Sequence, residues 1–189
     1  MKKHPFLFLA LFICLFSCKE ETIHCLISTE LGNIEVELYP EKAPLTVKNF
    51  LAYINQGAYT GSSFFRVCTP ENEADREIKI EVIQGGNVPE ELLLPPISLE
   101  TTEMTGLSHT DGILSMARAE PHSAQSNFFI CIGDQPALDF GGKRNPDGQG
   151  FAAFGKVTSG MDVVRNIQGQ KEVGQYLVDS VGIEVIRLN

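Results

Sequence analysis

Between residues 23 and 188, apolar side chains recur at every second position in short runs, each ended within a few residues by glycine, proline or a polar cluster. That period puts alternate side chains on opposite faces of a strand. Ile23, Cys25 and Ile27 share one parity, as do Ile34, Val36 and Leu38, and Leu31-Gly32-Asn33 between them reads as a hairpin turn. Further strand-like runs lie at Ser63 to Val67, Ile78 to Gln84, Gly112 to Ala117, Asn127 to Ile132 and Ala152 to Val157. The last, Leu177 to Leu188, places Val181, Ile183, Val185 and Arg187 on one parity. Only two stretches take the helical period. One is Pro44 to Ile54, where Val47, Phe50, Leu51 and Ile54 align, proline sits in the first turn and Gly57 is a plausible stop; the other is Met161 to Ile167. Many antiparallel strands with two helices predict a mainly β fold, a closed barrel that removes exposed strand edges and is capped by the helices.

The amino terminus belongs to a different category. Lys2 and Lys3, an apolar run from Phe6 to Phe16, then Ser17 and Cys18 follow the order of a secretory signal. The run is shorter than the roughly 20 residues that a membrane-spanning helix needs. Leu15-Phe16-Ser17-Cys18 resembles a bacterial lipobox, in which the cysteine is diacylglyceryl-modified and becomes the first residue of the mature chain. Acyl chains contributing about 0.8 kcal/mol per buried methylene would then anchor the protein chemically. The expected organisation is a signal over residues 1–17, a lipidated Cys18 with a charged tether to residue 22, and one domain over residues 23–189. The expected location is the cell envelope, on its periplasmic face or at the cell surface, with the lipid as the only membrane contact.

Of the 189 residues, 15 are lysine or arginine and 24 aspartate or glutamate, a formal charge of -9. Loss of the signal removes two lysines, leaving 13 basic against 24 acidic residues, or -11. This balance argues against nucleic acid as a partner. With Cys14 in the signal and Cys18 lipidated, Cys25, Cys68 and Cys131 remain, without CxxC spacing; buried thiols are the default, and one disulfide is open without a selectable pair. His4, His24, His109 and His122 show no metal-ligand spacing and receive no catalytic role.

Four ordered segments carry a resemblance. They are SFFRV at Ser63 to Val67, VIQGG at Val82 to Gly86, DGILSMARA at Asp111 to Ala119 with SNFFI at Ser126 to Ile130, and GFAAFGKVTSGMDVV at Gly150 to Val164. Together they resemble the cyclophilin-type peptidyl-prolyl cis/trans isomerases, in a bacterial lipoprotein form. The resemblance implies an eight-stranded antiparallel barrel capped by two α-helices, with an active groove on its outer surface. It puts the catalytic arginine at Arg66 and its glutamine at Gln84. Val82, Phe129 and Leu138 fall on the proline pocket, with Phe65 and Phe151 beside it, and Ala117, Arg118 and Asn127 fall on the groove wall. The implied partners are proline-containing peptides, unfolded clients and cyclosporin-like ligands. No metal or cofactor is implied, and a monomer is expected.

The chemistry suits these residue types. Amide resonance opposes rotation about X-Pro with a barrier of about 18 to 20 kcal/mol, and no bond has to break. A protein need only bind the twisted amide better than the planar one. Twisting returns a lone pair to the prolyl nitrogen, and the permanently charged fork of Arg66 can donate to it while Gln84 steadies the fork. Gly85-Gly86 would allow a ligand close to the backbone. Phe128 and Phe129 must lie on opposite faces, one of them in the core. Asp75-Arg76-Glu77 reads as solvated charge.

Three departures from the family pattern stand out. An insertion runs from Thr69 to Lys79, Glu81 falls where a pocket aromatic is usual, and Ala137 replaces a tryptophan. Either Ile80 or Val82 takes over from Glu81, or the pocket is shallow and the enzyme slow. A catalytically weak proline-binding or chaperone module is therefore the alternative, and a purely structural envelope lipoprotein a third.

Overall fold

The computed structural model describes residues 21–188; the expected signal with Cys14 and the expected lipidation position Cys18 lie outside the described residues. Strand β1 (Ile23–Thr29) pairs with β2 (Gly32–Leu38) across Glu30-Leu31, with Thr29 opposite Gly32. The turn thus comes one residue earlier than the glycine suggests. The Thr29 hydroxyl fixes it, donating to the Gly32 carbonyl at 2.8 Å and accepting from the Leu31 amide at 3.2 Å.

The remaining strands are β3 (Ser63–Cys68), β4 (Val82–Gly85), β5 (Ile113–Met116), β6 (Phe128–Cys131), β7 (Ala152–Ser159), β8 (Glu172–Val173) and β9 (Tyr176–Leu188). Neighbours run β1-β2-β7-β5-β6-β4-β3-β9, and β9 pairs back onto β1, closing an eight-stranded antiparallel barrel. The two-residue β8 is an appendage hairpinned onto β9. Closure leaves no edge among the eight.

One parity of each strand fills the barrel. Ile27, Ile34, Val36, Leu38, Phe64, Ile83, Leu114, Phe128, Ile130 and Phe154 are all fully buried in a single cluster. Helix α1 (Pro44–Asn55) adds Val47, Phe50 and Tyr53 at helical spacing, and α3 (Met161–Gln168) adds Val164 and Ile167. The start of α1 is capped from a distance: the Glu100 carboxylate accepts from the amides of Leu45 (3.1 Å) and Thr46 (2.8 Å). An anion there satisfies orphan amide donors and opposes the positive helix end.

Three expectations are corrected. A third helix, α2 (Thr102–Thr105), is a single turn, too short to show a period, and is started by Thr101 accepting from the Met104 amide. The run Ile78 to Gln84 is strand only from Val82, because side chains have taken the backbone groups before it: the Ile80 amide donates to Glu73 and the Ile78 carbonyl accepts from Arg144. On β9 an extra residue against β1, between Ile183 and Val185, switches the parity, so that Ile186 is buried and Arg187 exposed.

Aromatic rings lock the barrel to its helix. Phe128 meets Phe50, Tyr59 and Phe64 edge-on, at centroid distances of 5.4, 5.6 and 5.8 Å. Phe128→Ala should lower the unfolding free energy by about 3 to 5 kcal/mol in urea titrations. Phe140→Ala, at a ring 44% exposed, should change it by no more than about 0.5 kcal/mol.

Candidate active site

Strand β3 carries a bulge. Phe64 lies opposite Gly85 and Arg66 opposite Gln84, so Phe65 is an extra residue with no partner of its own on β4. Bulges re-aim side chains. Phe64 stays in the barrel, fully buried, while Arg66 turns out to the surface and is half-buried. The register continues across the sheet, with Gln84 opposite Phe129 and Phe129 opposite Ser115. Directly opposed residues share a face, so Arg66, Gln84 and Phe129 form one row on the outside of the barrel. Phe128 points in and Phe129 out.

Gly85 and Gly86 serve packing rather than ligand approach, contrary to expectation. A Cβ on Gly85 would stand 2.8 Å from the Phe64 ring, and one on Gly86 (φ +88°) 2.6 Å from the Ser126 carbonyl oxygen. The space is filled by the protein itself.

Outside the barrel a second apolar cluster gathers Cys68, Ile80, Val82, Phe129, Cys131 and Leu138, with Ala117 and Phe151 against it. It walls a slot of about 380 Å³ with Arg66 and Gln84 at its rim. Ile80 and Val82 both line the slot, and the intervening Glu81 does not join them. The apolar part of the wall is therefore kept despite the glutamate, and Arg76, Arg144 and Asn145 also line the slot. Phe129 meets Phe151 edge-on at 5.3 Å and stacks on His109 at 6.0 Å. His109 is buried and bridges Asp139 (2.7 Å) and Ser115 (2.9 Å), which fixes the surface behind Phe129. Nothing in the histidine's sequence neighbourhood marks this supporting role. Cys68 and Cys131 lie beneath the slot as free thiols, and burial pushes Cys68 up to about 11 and Cys131 higher. Cys25, free in the barrel core, is pushed up to about 12 by burial. These thiols pack rather than react.

The Arg66 guanidinium is held on two sides. Nη1 donates to Gln84 Oε1 at 2.8 Å, while Nε and Nη2 donate to Gln175 Oε1 at 3.1 and 2.6 Å. Of the five N–H groups of a guanidinium, three are thereby committed. Both acceptors are neutral amides, so its charge is steadied without being cancelled.

Arg118 is tied down rather than open. It donates to Asp147 through two nitrogens at 2.8 and 2.9 Å and to the Gly150 carbonyl at 2.8 Å, and its guanidinium lies 5.3 Å from the Phe151 ring. Arg118 thus braces the loop that presents Phe151. An adjoining groove shares Gln84, Ala117 and Arg118 with the slot and is also lined by Asn127, whose Oδ1 is buried without a hydrogen-bond partner among the described residues. Phe65 stands apart. Its ring stacks on Tyr176 at 6.5 Å and lines neither cavity, because the bulge that turns residue 65 outward leaves it on the β9 side of Arg66.

Residues 24–187 match the family described as cyclophilin type peptidyl-prolyl cis-trans isomerase. The chain belongs to that family. Its curated relatives include a peptidyl-prolyl cis-trans isomerase of Acinetobacter baylyi, 42% identical over 74% of this chain and 68% of the relative. Another is peptidyl-prolyl cis-trans isomerase B of Escherichia coli, 38% identical over 75% of this chain and 81% of the relative. In fold, the chain resembles a crystal structure of a cyclophilin type isomerase from Cryptosporidium parvum, with a TM-score of 0.72 and 23% identity over 89% of this chain and 98% of that one. The same parasite protein was also solved in the presence of the dipeptide Ala-Pro, with a TM-score of 0.69 and 23% identity over 88% and 98% of the two chains.

In this cyclophilin-type chain the insertion brings a carboxylate that sequence inspection passes over. Glu73, 1% exposed, accepts from Nη1 of Arg144 at 2.8 Å and also from Nη2, from the Ile80 amide at 2.9 Å and from Gln175 Nε2 at 3.1 Å. Burial raises its carboxyl, but the bonds from Arg144, Ile80 and Gln175 outweigh that and hold it below its ordinary value of 4.5. Its stabilisation is therefore full above that value and is lost as pH falls through the lower folded one. Glu73→Gln, which leaves Arg144 buried beside a neutral group, should cost about 3 to 5 kcal/mol at pH 7. In urea titrations that deficit should narrow as pH falls below 4.5 and through the lower folded value; an unchanged deficit across that fall would exclude the charge as its cause.

Proposed function

We propose that this cyclophilin-type isomerase turns X-Pro bonds by offering the charged fork of Arg66 to the prolyl nitrogen of a ring seated in the slot. The observation that carries this reading is a guanidinium held at the rim of an apolar slot by amides that leave its charge intact. Phe129, Leu138, Val82 and Ile80 grip the pyrrolidine ring, and rotation occurs on the side of the amide that precedes it. The planar amide nitrogen is a poor acceptor because its lone pair is delocalised; the twisted one is not, so the Arg66 contact strengthens only as the barrier is reached. Asn127 and Ala117, which line the adjoining groove, receive the substrate backbone in this reading. Phe151 closes the slot against water.

A charged hydrogen bond contributes about 1.5 to 3 kcal/mol, or roughly ten- to a hundredfold in rate. The apolar grip, which excludes water from that bond, supplies the rest. In exchange spectra of a proline-containing peptide, Arg66→Ala should reduce the enzyme-driven cis/trans rate by about ten- to a hundredfold with thermal stability nearly unchanged. Undiminished exchange would remove Arg66 from its role. A catalytically weak binding module draws its support from Glu81, Ala137 and the insertion together, and Ile80 and Val82 in the slot wall remove the Glu81 part of that support.

The clients in this reading are unfolded, proline-containing secreted or envelope proteins. The protein reaches them from an acylated Cys18, whose support is the Leu15-Phe16-Ser17-Cys18 motif and the short charged stretch before β1 at Ile23. No helix among the described residues is long and apolar enough to cross a membrane. In detergent phase separation of expressing cells, the wild-type chain should enter the detergent phase and Cys18→Ala the aqueous phase. Equal partitioning of the two would refute the lipid anchor.

A further inference from the structure

Gln175 lies 109 residues from Arg66 in sequence, yet its amide oxygen accepts from two of the arginine's nitrogens. It occupies the second position of the β8–β9 turn, between Val173 and Tyr176, which pair directly. Both turn residues have positive φ, Gly174 at 58° and Gln175 at 77°. Two-residue hairpins of this hand favour glycine or asparagine there, and a long side chain in the left-handed region is strained by about 1 to 2 kcal/mol. A strained residue held in contact with a reacting group is where a functional constraint is to be sought.

Every polar group of Gln175 is engaged. Its amide N–H donates to Glu172 Oε2 at 2.7 Å, and its carbonyl accepts from the Val67 amide at 2.8 Å, one residue past Arg66. Its Nε2 donates to Glu73 Oε1 at 3.1 Å. A carboxylate can only accept, so this contact dictates which end of the side-chain amide faces Arg66: the oxygen. Glu73 is in turn fixed by both terminal nitrogens of Arg144 and by the Ile80 amide. The order Arg144, Glu73, Gln175, Arg66, Gln84 is thus one continuous hydrogen-bonded line, with the carboxylate one bond removed from the arginine it orients.

We propose that Gln175 is a positioning residue for the isomerase reaction, which fixes the plane of the Arg66 fork and relays to it the constraint of the buried Glu73–Arg144 pair. This rests on Arg66 making the contact to the twisted amide. Gln84 alone would restrain one terminal nitrogen and leave the fork free to swing about that bond. Gln175 engages Nε and the other terminal nitrogen, so the guanidinium plane is set at three points. One N–H on each terminal nitrogen then stays available for substrate. The insertion that contains Glu73 becomes part of the catalytic apparatus by this route, without touching substrate.

The strained backbone makes the test selective. Gln175→Gly removes the amide, with its bond to Glu73, but relieves the turn, and because the two effects oppose each other the unfolding midpoint should move little. The exchange rate on a saturating proline peptide should nevertheless fall about five- to twentyfold, with peptide affinity changed less than about twofold. The Arg66 Nε–H signal in nitrogen-15 spectra, assigned by its loss in Arg66→Lys, should shift and exchange faster with water. Gln175→Met, similar in length but without the accepting oxygen, should reproduce the loss of rate. Wild-type exchange in both variants, while Arg66→Ala is slow, would overturn the role of Gln175 and leave that of Arg66 standing. Wild-type exchange in Arg66→Ala itself would instead remove the reading on which the inference rests.

Discussion

A guanidinium that must stay charged, stay put and keep free N–H groups poses a conflict, because the usual partner that fixes an arginine is a carboxylate that neutralises it. In this chain the conflict is resolved by two amide oxygens, one on each side of Arg66. Gln84 comes from the neighbouring strand and Gln175 from a hairpin far along the chain. The carboxylate that does the fixing, Glu73, stands one hydrogen bond back, where its own charge is met by Arg144. Amides orient and carboxylates anchor, so the field at the slot remains that of a cation.

The rest of the fold can be understood as what is needed to place that fork beside an apolar wall. A closed barrel consumes one parity of its strands as core and leaves the other free to build on the outside. The bulge at Phe65 lets Phe64 remain core while Arg66 faces out, and strand register then lines up Arg66, Gln84 and Phe129 without further devices. A second apolar cluster, small and outside the barrel, forms the slot. It needs backing, and His109 between Asp139 and Ser115 supplies a polar frame behind Phe129. Hydrogen bonds from the His109 ring and backbone outweigh the effect of burial on Asp139 and keep its carboxyl below the ordinary range. Asp139 is therefore a carboxylate at neutral pH.

Much of this was legible in the alternating runs. Strand interiors and both long helices lie where the periods of two and of 3.6 put them, since those elements are held by local pattern and burial. What the sequence did not disclose depends on distant partners. The strand expected from Ile78 fails until Val82 because Glu73 and Arg144 claim its backbone groups. The parity of β9 fails past Ile183 because β1 imposes a bulge. The one-turn helix at Thr102 is too short for its period to repeat. At the site, Arg66 and Gln84 are visible through motif strings, whereas Glu73 and Gln175 look like ordinary polar loop residues, and only their three-dimensional neighbours give them meaning. Ile80 was one of two candidates to replace Glu81 in the wall, and the structure uses both. Phe65, placed by resemblance beside the substrate, is drawn away by the ring of Tyr176.

The most direct measurement is a crystal structure of the protein with a proline-containing peptide bound. The account places the pyrrolidine ring against Phe129 and Leu138, with one uncommitted N–H of Arg66 directed at the prolyl nitrogen while the bonds to Gln84 and Gln175 persist. A ring seated elsewhere, or an arginine that leaves both amides on binding and points away from the peptide, would contradict it.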